Sequence, residues 1–377
     1  MSTHLETIVI GAGQAGLATA FQLRQSGRDC LVVDAGTRVG DGWRNQWDSL
    51  RLYSPAKHDS LPGMAFPADP WHFPGKDEVA DYLETYAREL ALPVRLSTRV
   101  SRLSAATTGG FLVETDGGDY LADHVVVATG TFGRRPHVPD FAADLDPGIL
   151  QLHSSEYRRP SQLPDGPVLV VGASHSGFDV AYEVAPDHST VLAGAGHGEI
   201  PVPHGSRRFR MVMPVLWFLW GHVINRRTPV GRREMQEIRF HGGPALRVKV
   251  ADLEARGVER IEERVTGVEG GRPLLASGRV VDASTVVWAT GFVQDFGWID
   301  VPGVIGEDGW PRELRGVVED APGLYFCGLS MQSSFRSMLI GGVGADAAHV
   351  AKEIDRRATR ATATGVGDPS RSGRLAA

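Results

Sequence analysis

Cysteine is scarce: Cys30 and Cys327 are the only two in 377 residues. They sit on separate strand-like segments and form no CxxC, which excludes a disulfide framework, a dithiol redox pair and a zinc site. No metal is expected. Long apolar runs are also missing. The stretch Met211–Ile224 falls short of the roughly 20 residues that span a bilayer, and Pro214 within it argues against a long uninterrupted helix. No stable membrane insertion is expected. Positive charge is not in excess, and a net charge of −6 argues against a nucleic-acid partner recruited by bulk electrostatics. A strand-like run starts by Thr7, leaving no room for a signal peptide, so a reducing cytoplasm is the expected location. At 42% hydrophobic residues the chain can bury a large core and fill two domains.

Two glycine motifs stand out, Gly11-Ala12-Gly13-Gln14-Ala15-Gly16 and Gly172-Ala173-Ser174-His175-Ser176-Gly177. Each follows a strand-like run (Thr7–Ile10, Val168–Val171) and opens a helix-like run near Gln14 and Ser176. In such a turn the first glycine makes the bend and the second lets backbone approach a pyrophosphate. The third packs helix on strand, so that the helix N–H groups face the phosphates. Ser174 stands where the second glycine usually sits, a small change that still permits close approach. One such motif is weak evidence, since small-residue turns also serve plain packing. Two in the right context point to two dinucleotides in one protein.

The first site has its own support. A second strand, Cys30–Val33, ends in Asp34, whose carboxylate suits both hydroxyls of an adenosine ribose and repels a 2′-phosphate. FAD and NAD both fit, and a fold whose first strand starts this early is typical of FAD-binding domains, so FAD is assigned here. The second motif is assigned to NADH or NADPH. Two buried-strand runs end in Ala128-Thr129-Gly130 and Ala289-Thr290-Gly291, which read as crossings between the nucleotide domains.

The expected fold is therefore α/β, with two Rossmann-like dinucleotide-binding domains, the second inserted into the first. Residues 1–162 and 285–360 form the FAD domain, 163–284 the nicotinamide-nucleotide domain, and 361–377 a disordered tail. The spacing of Val79, Tyr82, Leu83, Tyr86, Ala87 and Leu90 predicts a helix over 77–92, and a final helix is expected over 344–357. Within the second domain, residues 204–249 differ from the rest, with ten basic and two acidic residues around Met211–Ile224. This insert reads as a substrate-pocket lid, an internal helix packed between domains, or an interfacial membrane contact. Its aromatic content also makes a homodimer plausible.

The order GAGQAG, GDGWR (40–44), LRLYSP (50–55), LPGMAFP (61–67), ATG, HSSEY (153–157), GASHSG, ATGF (289–292), GLYFCGLS (323–330) and GVGADAAHVA (342–351) resembles the class B flavoprotein monooxygenases. Among them it looks most like the bacterial CzcO-like flavin-containing monooxygenases. The resemblance covers nearly the whole chain except the tail. It implies that a nicotinamide cofactor reduces FAD, O₂ adds at flavin C4a, and the peroxyflavin passes one oxygen to a soft sulfur or nitrogen nucleophile. The protein excludes water and holds donors near the flavin. Gly42, Trp43, Val100 and Gly342 join the glycine and Ala-Thr-Gly motifs as cofactor-binding candidates.

Three departures from the family pattern matter. The fingerprint FxGxxxHxxx(Y/F) has one residue too many between Gly148 and His153, while His153 and Tyr157 keep their spacing; His153 is read as ordering the interdomain linker. No asparagine lies in the Leu50–Pro55 stretch on the flavin side, so Tyr53 and Ser54 offer hydroxyls instead, and with Arg44 they are the catalytic candidates. Ala195 replaces the arginine that holds the 2′-phosphate of NADPH, so NADH is expected to serve at least as well, unless Arg207 and Arg208 fold back. The competing readings are a Baeyer–Villiger oxygenase, an NAD(P)H oxidase or other flavin oxidoreductase, an N-hydroxylase, and a non-catalytic redox-sensing flavoprotein.

Overall fold

The computed structural model describes residues 3–130 and 135–365. Its first strand, β1 (Thr3–Ile10), buries its last four residues and leads through the glycine turn into α1 (Gln14–Gln25) and β2 (Cys30–Val33). There follow α2 (Asp41–Arg44), α3 (Lys76–Glu89), β3 (Val94–Arg95), β4 (Val100–Ala105), β5 (Phe111–Thr115) and β6 (Tyr120–Val127). The apolar spacing expected over 77–92 is the buried face of α3. From that helix the Tyr82 and Tyr86 hydroxyls donate to the carbonyls of Met64 and Pro62, at 2.8 and 2.6 Å. The proline-rich stretch between α2 and α3 thus acquires a fixed path although it has little regular structure of its own.

After Gly130 the chain crosses to a second unit with β7 (Arg135–Pro136), β8 (Leu150–His153), β9 (Val168–Val171), α4 (His175–Val184) and β10 (Thr190–Ala193). The insert supplies α5 (Arg207–His222) and α6 (Pro229–Phe240). Next come α7 (Val250–Ala255), β11 (Glu259–Ile261), β12 (Val265–Glu269), β13 (Arg272–Leu275) and β14 (Thr285–Trp288). The chain returns through β15 (Phe292–Val293), β16 (Ile299–Asp300) and β17 (Leu324–Phe326), and ends on α8 (Val343–Gly365), packed on α1.

The first sheet has the order β16-β4-β5-β6-β1-β2-β3, with β17 parallel to the second half of β6. Its parallel part, β3-β2-β1-β6-β17, is the nucleotide-binding frame, and β4 and β5 join it as an antiparallel meander. The second sheet, β11-β10-β9-β14-β8, is parallel throughout. Two Rossmann-type units result, the second carried inside the first.

Three expectations need correction. The second sheet reaches beyond the boundaries at 163 and 284, because β8 and β14 both pair into it. The crossings are at the Ala-Thr-Gly turns themselves. The proline does not break the insert, since α5 runs through Pro214. That residue lies on the exposed side, where water can reach the Arg210 carbonyl that lacks its helical donor. The last helix runs past 357 to Gly365, and the rest of the expected tail lies outside the described residues. Among the described residues no helix is long and apolar enough to cross a membrane.

The two crossings lie side by side. Strands β7 and β15 pair antiparallel, Phe292 opposite Pro136, and the His137 N–H donates to Gly291 O at 2.9 Å. His153 Nε2 bonds the same carbonyl at 2.9 Å, and its Nδ1 meets Ser155 Oγ at 2.8 Å. Burial lowers the imidazole pKa. A neutral ring with Nε2–H fits these partners. Tyr157 is fully buried in the core of the second unit.

Candidate cofactor sites and the helical insert

The two glycine turns have the same geometry. Gly11 (φ +110°) and Gly172 (φ +112°) adopt a conformation that side chains rarely take. A Cβ on them would fall 2.7 Å from Ala128 O and 2.3 Å from Ala289 O. Ala128 and Ala289 are thus the floor under each turn. A Cβ on Gly16 would lie 1.8 Å from Gly11 O, and one on Gly177 the same distance from Gly172 O. These glycines let helix and strand touch. Gly13 is different, since a Cβ there would have nothing within 4 Å. It begins α1 without a side-chain cap, so the N–H groups of Gln14, Ala15 and Gly16 open onto that free space.

Around this opening lie further groups whose chemistry suits an anionic dinucleotide. Gly328 (φ +88°) passes so close to α1 that a Cβ would lie 2.6 Å from that of Ala15. Asp34 accepts the N–H groups of Ala12 at 2.6 Å and Gly36 at 2.7 Å. Each oxygen keeps a lone pair, enough for two vicinal ribose hydroxyls. The Thr129 hydroxyl is buried and has no partner among the described residues. An uncapped helix end, a carboxylate at the end of β2 and an orphan hydroxyl at the turn after β6 fit FAD. Gly42 is open on its Cβ side, and the half-buried Trp43 packs against the core of the first domain. Val100, half-buried on β4, belongs to the other face of the sheet. Gly342 is needed for the turn into α8, where a Cβ would meet Arg336 O at 2.0 Å.

The three catalytic candidates go to different places. The Arg44 guanidinium donates to Val39 O at 2.5 Å and to Asp81 and Glu84 at 3.0 Å each, fastening α2 to α3. Ser54 donates to Asp59 Oδ1 at 2.6 Å. Asp59 is buried, its Oδ2 has no partner among the described residues, and burial pushes the carboxyl up to about 7 against the pull of that hydroxyl. Tyr53 reaches the second unit, where its hydroxyl donates to Asp179 Oδ2 on α4 at 2.8 Å and its ring lies 4.7 Å from that of His175. Burial, then the Asp179 charge, raise the phenol well above its ordinary value. Arg247, from the end of the insert, holds Asp179 Oδ1 at 3.1 Å.

At the second site the insert returns over the glycine turn. Ser174 stands at the N-cap position of α4, and its hydroxyl does not cap the helix but donates to Gly243 O at 3.3 Å, while His175 Nε2 meets Pro244 O at 2.8 Å. Ser176 follows on the first turn of α4. The Thr290 hydroxyl donates to His137 O, which fixes the second Ala-Thr-Gly turn to the first crossing. Ala195 is exposed in the loop after β10. Sequence reasoning missed the cation beside it. A Cβ on Gly196 would lie 3.3 Å from Arg260 Nη2, and that guanidinium pairs with Glu262 at 2.8 Å. Arg260 stands opposite Leu192 in the parallel β10–β11 ladder. Reading Glu259–Ile261 as the next parallel strand would have found it.

The insert packs between the domains. Phe209 and Met213 of α5 are buried with Leu246, against Tyr53, Trp71 and Phe73. Trp217 stacks on His58 at 4.5 Å, and Trp220 lies 5.1 Å from Phe335. Burial, with Lys57 and Arg336, holds the His58 imidazole down at about 4. Beyond α5, Arg226 and Arg239 converge on the buried Glu313 carboxylate at 2.5 and 3.4 Å. Losing one partner of such a buried pair costs about 3–5 kcal/mol, so the insert is fastened to the first domain.

Comparison with known proteins agrees with this frame. The family described as pyridine nucleotide-disulphide oxidoreductase matches residues 8–200. An uncharacterized CzcO-like oxidoreductase from Geobacillus kaustophilus is 39% identical over 356 residues, covering 94% of this chain and 99% of its own. The CzcO oxidoreductase of Bacillus subtilis is 31% identical over 353 residues, covering 93% and 99%. Among solved structures, the flavin-containing monooxygenase from Stenotrophomonas maltophilia superposes with a TM-score of 0.73 at 25% identity, over 94% of this chain and 99% of that one. The chain belongs to the CzcO-like oxidoreductases, a bacterial group of the class B, NAD(P)H-dependent flavin-containing monooxygenases.

Proposed function

We propose that this enzyme binds FAD on the first glycine turn and a nicotinamide nucleotide on the second, and oxygenates a soft sulfur or nitrogen nucleophile with O₂. The duplicated cradle carries the reading: each turn sets a glycine backbone 1.8 Å from the Cβ position of its helix glycine. When bound, FAD supplies the hydride acceptor and the O₂-activating centre. The protein's part is to bind, orient and exclude water. The N–H groups of Gln14 to Gly16 and the Asp34 carboxylate bind the dinucleotide, and the aromatic inner face of α5 shields the loop carrying Ser54 and His58 from solvent. Ser54, with Asp59 behind it, holds a proton at a buried position. Tyr53 and Arg44 act as positioning residues, Tyr53 by holding α4 and Arg44 by holding the segment of Gly42 and Trp43.

NADH serves at least as well as NADPH in this reading. Ala195 offers no cation, and the neighbouring Arg260 is already paired with Glu262. The two free cysteines suit a reducing cytoplasm. The test is a panel of thioethers, amines and ketones assayed for NAD(P)H-dependent product against hydrogen peroxide release. Sulfoxide or N-oxide in step with NAD(P)H supports the proposal. Peroxide alone indicates an oxidase, and ester from ketone indicates Baeyer–Villiger chemistry; either result overturns it.

A further inference from the structure

The outer face of the insert is the least expected surface of the molecule. Of the ten large apolar side chains exposed among the described residues, seven lie within 204–249. On α5, Met211, Val215, Phe218 and Leu219 recur at helical spacing, with Met211 77% and Phe218 57% exposed, and Val223 and Val230 continue the patch. The opposite side of the helix is apolar too, but it is covered, since Phe209 and Met213 are buried and Trp217 and Trp220 face the first domain. A helix apolar on both sides belongs between two apolar surroundings. The protein supplies one.

The charge around the patch points to the other. Arg207 and Arg208 stand at one end of it and Arg227, Arg232 and Arg233 at the other, all exposed. None pairs with a carboxylate among the described residues. This cationic rim sits on a chain whose net charge is −6, so bulk electrostatics does not explain it. An apolar stripe flanked by arginines matches the boundary between anionic headgroups and acyl chains, where the stripe is buried and the guanidiniums meet lipid phosphates. A 16-residue helix is about 24 Å long, too short to cross the bilayer but suited to lying in its surface. A second copy of the chain fits less well, because a two-fold pairing through this face would set the same arginines against each other.

We propose that α5 and the start of α6 dock this enzyme on the surface of an anionic lipid bilayer. The docking stands apart from the monooxygenase reading, because it uses only exposed side chains of α5, of the start of α6 and of the turn between them, none of which that reading assigns a role. If both hold, an apolar substrate dissolved in the bilayer reaches the lid of the site directly.

The experiment is vesicle flotation of the FAD-loaded full chain, with phosphatidylcholine vesicles and with vesicles in which part of that lipid is replaced by phosphatidylglycerol. The protein should float with the anionic vesicles and be released by salt. Met211→Asp with Phe218→Asp should cut binding at least tenfold. Arg207→Gln, Arg208→Gln and Arg227→Gln together should abolish the preference for phosphatidylglycerol and flatten the salt dependence. All these positions are exposed, and an unchanged flavin spectrum and melting temperature establish that the variants fold. Failure of the wild type to float, or flotation of the variants like wild type, overturns the proposal. So does a dimer seen by light scattering that the aspartate variant dissociates, which would assign the face to a second copy.

Discussion

Replacing Gly13 and Gly16 separately by alanine should give opposite failures. At Gly13 the backbone has φ −78° and ψ −175° and the new methyl group meets nothing within 4 Å, so alanine fits without strain. The unfolded chain loses freedom, worth about 0.4–1 kcal/mol, while alanine is a poorer N-cap than glycine by a similar amount. The flavin-free protein should therefore keep its stability to about 0.5 kcal/mol. The methyl group, however, occupies the space through which the α1 N–H groups face a pyrophosphate. Losing one charge-assisted hydrogen bond there costs about 1.5–3 kcal/mol, or roughly a 10- to 100-fold weaker Kd. At Gly16 the methyl carbon would fall 1.8 Å from Gly11 O. Helix and strand must then separate, and overpacking of this kind costs about 1–3 kcal/mol or more whether or not FAD is present. Urea unfolding of the flavin-stripped proteins reads stability, and flavin fluorescence titration reads affinity. Wild-type FAD affinity in Gly13→Ala, or an unchanged urea midpoint in Gly16→Ala, would refute the assigned roles.

Tyr53→Phe should leave flavin content intact but slow flavin reduction by NAD(P)H, because a hydrogen bond to the buried Asp179, worth about 1.5–3 kcal/mol, no longer joins the first domain to α4; an unchanged reduction rate in stopped flow would count against it. Asp59→Asn should change how stability depends on pH. The Asp59 carboxyl is held at about 7 against an ordinary 3.8, so the folded state holds its proton more tightly than the unfolded chain. The wild type is favoured in full below about pH 4, loses stability as the pH rises towards 7, and is level above that. The asparagine variant lacks this loss and should gain on wild type by up to a few kcal/mol, at about 1.4 kcal/mol per pH unit, and parallel urea midpoints at pH 5 and pH 8 would refute it. Glu262→Gln should free Arg260 and improve NADPH use relative to NADH, and Ala195→Arg should do the same. A wild type that already prefers NADPH tenfold, about 1.4 kcal/mol, would remove the basis for both.

What the sequence discloses is what the backbone imposes locally. Gly11 and Gly172 must be glycine because of a positive φ and a carbonyl at Cβ distance. That demand appears as a motif, and so do the strand before it and the helix after it. The Ala-Thr-Gly turns are legible for the same reason, since their alanines lie under those glycines. The contacts that place the insert are not local. Arg226 meets Glu313 across 87 positions and Tyr53 meets Asp179 across 126, and nothing in either neighbourhood announces the partner. Arg44 shows the converse error. Its motif suggested a ligand-facing guanidinium, but the acidic side chains one helical turn apart on α3, Asp81 and Glu84, had the stronger claim. Pro214 misled because a proline's cost depends on which side of the helix it falls.

The paired crossings have a mechanical consequence. A domain hung from a single strand can tilt and spin freely. Here β7 and β15 run in opposite directions and hydrogen-bond to each other, and the His153 ring is fastened to Gly291 at the same spot. Two pins set together act like the leaves of a door hinge, which resists spinning and favours swing about one line. The separation of the two nucleotide cradles then depends mainly on a single opening angle. Tyr53, through Asp179, and the insert, through Glu313, add ties to this frame outside the paired strands.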